Sequence, residues 1–399
     1  MSRKRFDDIL CFLHINNNNA KTSDNKDKLF KLRPLLDTIN IRFMELYKVT
    51  REVSVDESMV LFKGRSSIKQ YNPMKPIKRG YKIWCLADQH GYISKFSVYQ
   101  GKEEVIDDFV DFGLGERVVL NLTKPYWNKG MKVFFDNYFT SIHLLEKLKL
   151  ENTFACGTIR SNRKGIPLLA HDKTLERGMY DFKTSRLGIT VYKWKDNRIV
   201  HLASNFHGVE ESSVLRTERD GTKKTIKCPT VVNDYNKYMG GVDKADQLRA
   251  LYNINRKSKK WWHRLFWGVI DIIFVNSFVI NNKLSESKLT VLQFRRAVAQ
   301  GLITQGKCGL KRTTDISPGT SKGRSCLQPR RGKQLFSTTS DVRLGNLGAH
   351  WLQFSKTRGR CEVCSKNNIE SKPYTKCSTC NIFLCLNEKK PCFNEYHSK

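Results

Sequence analysis

Short apolar runs alternate with polar stretches along the chain, and the spacing of the apolar positions changes from one region to the next. In residues 1–50 apolar residues recur every three or four positions, which predicts helices joined by a polar loop. Residues 51–135 contain short runs rich in β-branched and aromatic residues, which predicts strands. A helix is predicted at 142–149, and another strand at 153–160.

The second half of the chain changes pattern three times. Residues 161–230 are polar with short strand-like pieces, and we interpret them as an insertion within a larger domain. Helical patterns return from about Asp243 to Lys283 and again near 288–300. Residues 302–345 lose this periodicity and are rich in Gly, Ser, Lys and Arg, which predicts a basic linker.

One apolar segment resembles a membrane span. Residues 265–280 are strongly apolar, but they fall short of the ~20 residues that cross a bilayer and include Asp271 and Asn276. We therefore predict a buried core helix and no membrane association. The start of the chain, MSRKRFDDIL, lacks the apolar region of a signal peptide, so we expect a reducing compartment.

Three aspartates fall where predicted elements begin, end or cross the core. Asp136 follows the apolar run 133–135 and precedes a helix, Asp56 lies in the first strand, and Asp243 follows a Gly-Gly pair where a helix begins. Asp246 is one turn further along that helix. Each alone is most often a capping or turn residue. Together they suit a two-metal phosphoryl-transfer site, which needs hard oxygen ligands.

The charge of the chain points to a polyanionic partner. There are 71 Lys and Arg against 38 Asp and Glu, a net charge of +33, and nucleic acid is the commonest partner of such proteins. Two basic segments are candidate DNA-binding sites, although the first could be a solvated loop. Their residues are Lys63, Arg65, Lys69, Lys75, Lys78, Arg79 and Lys82 in the first, and Arg256, Lys257, Lys259 and Lys260 in the second. The second segment also suits a nuclear-import signal, so we expect a nuclear protein.

Six cysteines crowd the last forty residues in a pattern typical of zinc binding. Two Cys-x2-Cys pairs lie twelve residues apart, and each pair can give two thiolates to one tetrahedral ion. A two-zinc cross-brace needs eight ligands, with the two pairs on different ions. The candidates are Cys361, Cys364, Cys377, Cys380, Cys385, Cys392, His397 and His350. Spacing alone leaves open whether the surface of this module binds DNA or, as in PHD and RING modules, protein.

Several blocks of the sequence resemble piggyBac-type transposases. The blocks are VDESMVLFKGRSSIKQYNPMKPIKRGYKIWCLAD, FFDNYFTSIHLLEKL and YNKYMGGVDKADQL with the following WWHRLFWGVIDIIFVNSFVI. They are preceded by SRKRFDDILCFLHINNN, and the terminal cysteines resemble the cysteine-rich domain of that family. The blocks occur in order over nearly the whole chain, so the combined resemblance is specific.

The resemblance implies a fold and an activity. It implies an α/β RNase H-like catalytic core in which Asp56, Asp136 and Asp243 form the triad and Asp246 matches a further acidic position. It also implies Mg²⁺ as the catalytic metal and double-stranded DNA as the partner of a homodimer. Members of this family cut at terminal inverted repeats, form hairpinned ends and insert at TTAA sites. In that family the cysteine-rich domain helps to recognise terminal DNA, and a histidine at position 350 fits the pattern.

We therefore predict five regions. The first is a helical DNA-binding and dimerisation segment at 1–51, which is shorter at its N-terminus than in the family. The second is a catalytic domain at 52–253 with an insertion at about 161–230, and the third is a helical segment at 254–301 that completes the split domain. A basic linker at 302–345 and a zinc domain at 346–399 follow. The alternative is a domesticated, inactive transposase-derived DNA-binding protein. A zinc-dependent interaction protein with no DNA role leaves the net charge and the three aspartates unexplained.

Overall fold

The computed structural model of the chain describes residues 1–399 except 74, 102–108, 255, 259, 309–349 and 399. It divides into two units, Met1–Arg312 and Thr313–Lys399. Most of the predicted basic linker lies outside the described residues. Its first seven positions, 302–308, continue the last helix of the first unit, so this helix ends later than the sequence pattern indicates.

The first unit contains eleven described strands. They are β1 (Glu52–Leu61), β2 (Gln70–Tyr71), β3 (Arg79–Asp88), β4 (Ile93–Val98), β5 (Lys132–Phe135), β6 (Phe154–Thr158), β7 (Tyr180–Thr184), β8 (Thr190–Lys195), β9 (Ile199–Ser204), β10 (Glu211–Thr217) and β11 (Lys223–Pro229). Its described α-helices are α1 (Arg3–Phe12), α2 (Arg33–Leu46), α3 (Leu114–Thr123), α4 (Ile142–Leu150), α5 (Thr230–Tyr238), α6 (Gly241–Leu251), α7 (Trp261–Leu284) and α8 (Val291–Cys308). Short 3₁₀ turns lie at Asn18–Ala20 and Lys124–Tyr126.

A nine-stranded mixed sheet organises the first unit. Its order is β2-β3-β1-β5-β6-β9-β8-β7, and β4 also pairs with β3. Strands β1, β5 and β6 run parallel to one another, whereas β3 is antiparallel to both β1 and β4. Strand β1 is therefore an interior strand, which explains why its apolar residues are buried on both faces. This is the mixed α/β architecture that the sequence predicts.

The region interpreted as an insertion is partly a continuation of this sheet. Strand β9 pairs antiparallel with β6, and β8 and β7 follow it outward. Strands β10 and β11 instead form a separate two-stranded ladder. Val214 and Ile226 from this ladder pack in a second apolar cluster with Phe134 of the central sheet. The region thus shares both a sheet and a core with the rest of the unit.

Helix α7 is a core element of the first unit. Leu265, Val269 and Ile272 are almost fully buried in the main apolar cluster. Gly268 lets the helix approach β1, because a Cβ added there would lie 2.7 Å from the Val60 side chain. Among the described residues this is the one helix long and apolar enough to cross a membrane by length and composition.

The polar residues of α7 are used inside the protein. The Asn276 side-chain amide accepts a hydrogen bond from the Ile93 backbone N–H at 2.9 Å and donates one to the Ile93 carbonyl at 2.7 Å. Asp271 is buried and pairs with Arg295 of α8 at 2.7 Å. Its other oxygen accepts a bond from the Ile254 N–H. These contacts explain how the helix buries Asp271 and Asn276 with their side-chain groups paired.

The second unit is small and has short elements. They are β12 (Leu352–Phe354), α9 (Glu362–Lys366), β13 (Thr375–Cys377) and α10 (Cys392–Ser398), with β12 antiparallel to β13. Its buried cluster consists of six cysteines with Leu384 and Tyr396. A unit with so few apolar side chains in its interior needs another source of stability, such as bound metal.

Candidate catalytic and metal-binding sites

Two of the three aspartates lie side by side on parallel strands. Asp56 is in the middle of β1, and Asp136 directly follows β5. The register of this parallel pair aligns Val55 with Phe135, so the next residue of each chain segment is Asp56 and Asp136. Side chains at equivalent positions of neighbouring parallel strands point to the same face of the sheet.

The third aspartate is brought close enough by helix α6 for its charge to act on Asp56. Asp243 lies in the first turn of the helix. The helix can approach the sheet because its first residue is Gly241, where a Cβ would lie 2.5 Å from the Asp88 carbonyl oxygen and 2.7 Å from the Ser54 hydroxyl. Gly91, with φ +85°, lies against Ala245 of the same helix. Close packing at two glycines therefore fixes the position of the Asp243 turn.

The pKa of Asp56 is set by its burial and by charges that include both other carboxylates. Burial, together with the charges of Asp136 and Asp243, raises the pKa of Asp56 to about 6 against the opposing effect of Lys75. Burial also raises the pKa of Asp136, to which the Glu57 charge adds. Neighbouring carboxylates of this kind favour a bound cation, because a cation offsets their mutual repulsion.

The aspartates are more widely spaced than the ligands of a single small ion. Within the described residues, the groups of three or more potential ligands whose atoms all lie within 4.8 Å of one another are two Cys/His clusters, and the aspartates form no such group. The three carboxylates therefore do not surround one point as the ligands of a single ion would.

Two charged residues complete the surroundings of Asp56. The Lys75 ammonium lies 3.3 Å from Asp56 Oδ2, and both side chains are mostly buried. Glu57 accepts hydrogen bonds from Asn72 at 2.7 Å and from Lys82 at 3.0 Å. Lys75 and Lys82 are among the predicted DNA-binding residues, and here both pair with acidic groups of β1. Glu57 was not singled out from the sequence, although its place beside Asp56 was the available signal.

Asp246 contacts one side chain of β1 and one side chain of its own helix. Its Oδ1 accepts a hydrogen bond from Ser58 of β1 at 2.7 Å and lies 3.0 Å from Arg249. Arg249 in turn donates to the Met59 carbonyl at 2.8 Å. These contacts connect the inner face of α6 to β1. They favour a helix-face role for Asp246 over a role as a metal ligand.

The remaining candidate DNA-binding residues fall into two groups. In the first segment Lys63, Arg65, Lys78 and Arg79 are exposed, and the Lys69 ammonium donates to the Gly64 carbonyl at 2.8 Å. In the second, Arg256 pairs with Asp7 at 3.2 Å, Lys260 donates to the Cys11 carbonyl and Lys257 is exposed. Lys259 lies outside the described residues.

The second unit contains two metal-ligand clusters. One consists of Cys361, Cys364, Cys385 and Cys392, and the other of His350, Cys377, Cys380 and His397. The two Cys-x2-Cys pairs thus go to different clusters, which is the arrangement of a cross-brace. In the second cluster His350 Nδ1 lies 3.4 Å from Cys377 Sγ, and Cys380 Sγ lies 3.5 Å from His397 Nε2.

Ligand orientation in this second cluster is fixed by a backbone contact. His397 Nδ1 lies 2.8 Å from the Phe393 carbonyl oxygen one helical turn earlier. A proton on Nδ1 leaves the lone pair on Nε2 for a metal, which is the usual arrangement of metal-binding histidines. A Cys₄ set and a Cys₂His₂ set are both ligand sets of structural zinc sites. The two clusters can therefore hold metal ions such as zinc.

Comparisons with known proteins agree with these features. The family model described as Transposase IS4 matches residues 1–278. Human PiggyBac transposable element-derived protein 3 is 32% identical over 408 residues, which cover 100% of this chain and 64% of that protein. Human PiggyBac transposable element-derived protein 2 is 29% identical, covering 99% of this chain and 63% of that protein. The chain thus spans less than two thirds of the length of these relatives.

A solved structure shows the same fold. It is a cryo-EM structure of a piggyBac transposase synaptic complex with hairpin DNA, and it matches with a TM-score of 0.66 and 24% identity over 93% of this chain and 79% of that chain. The likeness confirms the predicted architecture, an α/β protein with an RNase H-like core. From the matching family model, the relatives and this fold, we conclude that the chain belongs to the piggyBac-type transposase family.

Proposed function

We propose that this chain is a DNA transposase that cuts DNA at terminal inverted repeats and joins the ends at TTAA sites. The observation that carries the proposal is the position of Asp56, Asp136 and Asp243. Two lie on neighbouring parallel strands and the third on a helix that packs against them. Cleavage and strand transfer are both phosphoryl transfers, so one acidic site can serve both steps.

The acidic residues fit Mg²⁺, whose preferred ligands are carboxylate oxygens. Bound there, Mg²⁺ would activate the attacking oxygen and stabilise the leaving oxygen at the phosphate. Asp56 and Asp136 would supply ligands from the sheet, and Asp243 would supply one from α6. The Asp56 carboxylate is oriented for this role by the Glu57 N–H, which donates to Oδ1 at 2.7 Å. The Tyr138 N–H orients Asp136 in the same way at 2.8 Å.

Double-stranded DNA is the proposed partner. The net charge of +33 and the exposed cations of the Lys63–Lys82 segment supply the positive surface that phosphates need. The similar solved transposase was determined as a synaptic complex with hairpin DNA, which supports a DNA complex of this chain too. We further propose action as a homodimer in the nucleus, with two Zn²⁺ ions stabilising the second unit.

A plasmid-nicking assay tests the catalytic proposal. We expect nicking with Mg²⁺ or Mn²⁺ that falls at least about 100-fold in Asp136→Asn and in Asp243→Asn, because each removes a proposed metal ligand. Asp24→Asn is the matched control, since Asp24 is an exposed aspartate in the loop between α1 and α2. Nicking that survives both site substitutions would come from another nuclease and would refute the proposal.

The second candidate is a domesticated DNA-binding protein without catalytic activity. It is favoured by the similarity to human transposable element-derived proteins. This candidate predicts a DNA mobility shift with no nicking by the unmodified chain at any divalent-ion concentration. The mobility shift would be the same in Asp136→Asn, because the aspartates would have no remaining role.

A further inference from the structure

The loop between β2 and β3 places one buried cation against the acidic site. Lys75 is flanked by Pro73 and Pro76, which limit the conformations of this loop. Its ammonium lies 3.3 Å from Asp56 Oδ2, and the Lys75 side chain is 23% exposed. The neighbouring Lys78 is exposed on the same loop. Lys75 is thus held inward, whereas Lys78 of the same loop faces solvent.

The charge of Lys75 is maintained by its surroundings. Burial lowers the pKa of Lys75, but the charges of Asp56, Glu57 and Asp243 outweigh burial and raise it. An ammonium in this position therefore stays positive over the working pH range. It compensates a cluster of carboxylates that would otherwise repel one another.

The two oxygens of Asp56 have different partners. Oδ1 accepts the Glu57 backbone N–H, whereas Oδ2 is the oxygen that Lys75 contacts. The carboxylate is thus oriented by the backbone with Oδ2 directed to the lysine. A divalent cation that binds Asp56 through Oδ2 must therefore compete with the ammonium for this oxygen.

Building on the proposed function, we propose that Lys75 is a positioning residue that couples metal binding to DNA binding. Without DNA its ammonium holds Asp56 Oδ2 and weakens divalent-cation binding. With DNA the ammonium moves to a backbone phosphate, and Oδ2 is released to the cation. The ammonium exchanges one oxyanion partner for another, so no proton transfer is needed.

The first test measures Mn²⁺ affinity by electron paramagnetic resonance in the zinc-loaded full chain at pH 8, without DNA. Lys75→Met should bind Mn²⁺ about tenfold more tightly, the effect of removing a unit charge at ~6 Å from a divalent ion in water. Lys75→Arg, which keeps the charge, should stay near the unmodified value, as should Lys173→Met, which changes an exposed lysine outside both basic segments. Unchanged or weaker binding in Lys75→Met would overturn the proposal, because the ammonium would then not oppose the cation at Asp56.

The second test adds a duplex oligonucleotide to the same measurement. DNA should tighten Mn²⁺ binding to the unmodified chain by a larger factor than to Lys75→Met, whose Asp56 is already free. Equal factors would refute the coupling. Asp136→Asn separates the two proposals: if it binds Mn²⁺ as well as the unmodified chain does, the metal is not at the aspartates and the proposed function fails. If Asp136→Asn weakens Mn²⁺ binding and Lys75→Met leaves it unchanged, the proposed function stands and the proposed role of Lys75 is refuted.

Discussion

At the scale of single residues, the site stores electrostatic strain in Asp56. Its folded-state pKa of about 6 lies above the ordinary value of 3.8. Between these pH values the unfolded chain has lost the proton that the folded chain keeps. The contribution of Asp56 to the free energy of unfolding therefore falls as pH rises from about 4 to about 6, and it stays low above that range. The carboxylate is retained in the core at a cost in folding free energy.

The direction of this pH dependence predicts the effect of Asp56→Asn on stability. The substitution removes the ionisable group, so it should raise the free energy of unfolding by at most about 3 kcal/mol at pH 8, and by about half as much at pH 5. Urea denaturation at the two pH values, without added divalent cation, measures both numbers. A stabilisation that is absent at pH 8, or larger at pH 5, would contradict the assigned direction of the pKa shift.

Residue patterns located the aspartates but not their partners. Asp136 was identifiable because an apolar run ends on it before a helix, and Asp243 because a glycine pair precedes it. The contact between Lys75 and Asp56 spans nineteen positions and depends on how the intervening loop folds back. Its basic composition indicated only a phosphate-binding segment. The local pattern of apolar and polar residues predicts where helices and strands begin and end. Which side chains pair across a loop depends on the tertiary fold.

At the scale of elements, helix α6 positions Asp243 through Gly241. Its missing side chain leaves room for the Asp88 carbonyl and the Ser54 hydroxyl of the sheet. Asp246 and Arg249 then hold the same helix against β1. The first turn of α6, which carries Asp243, is thus fixed by the close packing of Gly241 against the sheet. The polar contacts of Asp246 and Arg249 fix the rest of the helix.

Gly241→Ala should disturb both stability and chemistry. A Cβ only 2.5 Å from a carbonyl oxygen forces the helix away from the sheet, which should cost about 1–3 kcal/mol and misplace Asp243. Gly240→Ala is the matched control, since a Cβ there meets nothing within 4 Å. Thermal unfolding and Mn²⁺ binding measure the two effects. Equal behaviour of the two variants would show that the close packing does not position Asp243.

Strand and helix types followed from sequence, but strand partners did not. The apolar periodicity predicted helices at both ends of the first unit and strands between them. The joining of β7, β8 and β9 to the central sheet was missed, because pairing between distant strands is set by hydrogen bonds and register rather than by local composition. The sequence pattern predicts an earlier end for α8 than the structure shows, because the polar residues of an exposed helix resemble those of a linker.

At the scale of the whole molecule, the two clusters of the second unit predict a metal stoichiometry. The unmodified chain should bind two Zn²⁺, and Cys364→Ser and His397→Ala should each bind one or fewer, since each removes a ligand from a different cluster. Zinc release in denaturant, followed with a colorimetric chelator, gives the count. Cys11→Ser, which changes an exposed cysteine of the first unit, should still bind two. A single ion in the unmodified chain would contradict the cross-brace.

The charge of the whole chain predicts steep salt dependence of DNA binding. The logarithm of the affinity should fall linearly with the logarithm of salt concentration, by about 0.9 for each phosphate neutralised. Replacing Lys63, Arg65 and Lys78 with alanine should reduce this slope by roughly one per residue that contacts phosphate. Lys227→Ala is the control, because Lys227 is exposed but paired with Glu211 at 3.1 Å. An unchanged slope in the triple variant would place the DNA elsewhere on the surface.

The cysteine spacing could be read directly from sequence because a Cys-x2-Cys pair is a local geometric unit. The net charge could likewise be counted from the sequence, whereas the distribution of the charges over the surface required the structure.

If the acidic site performs the proposed strand transfer, the energetic cost of Asp56 has a consequence for relatives that have lost this activity. Once selection for strand transfer is relaxed, an amide at position 56 would be retained for its stability alone, whereas Gly241 and Gly268 would still be needed for packing. Decay of such a gene should therefore begin at the acidic site and spare the glycines around it. The order in which these positions change would date the loss of chemistry relative to the loss of the fold.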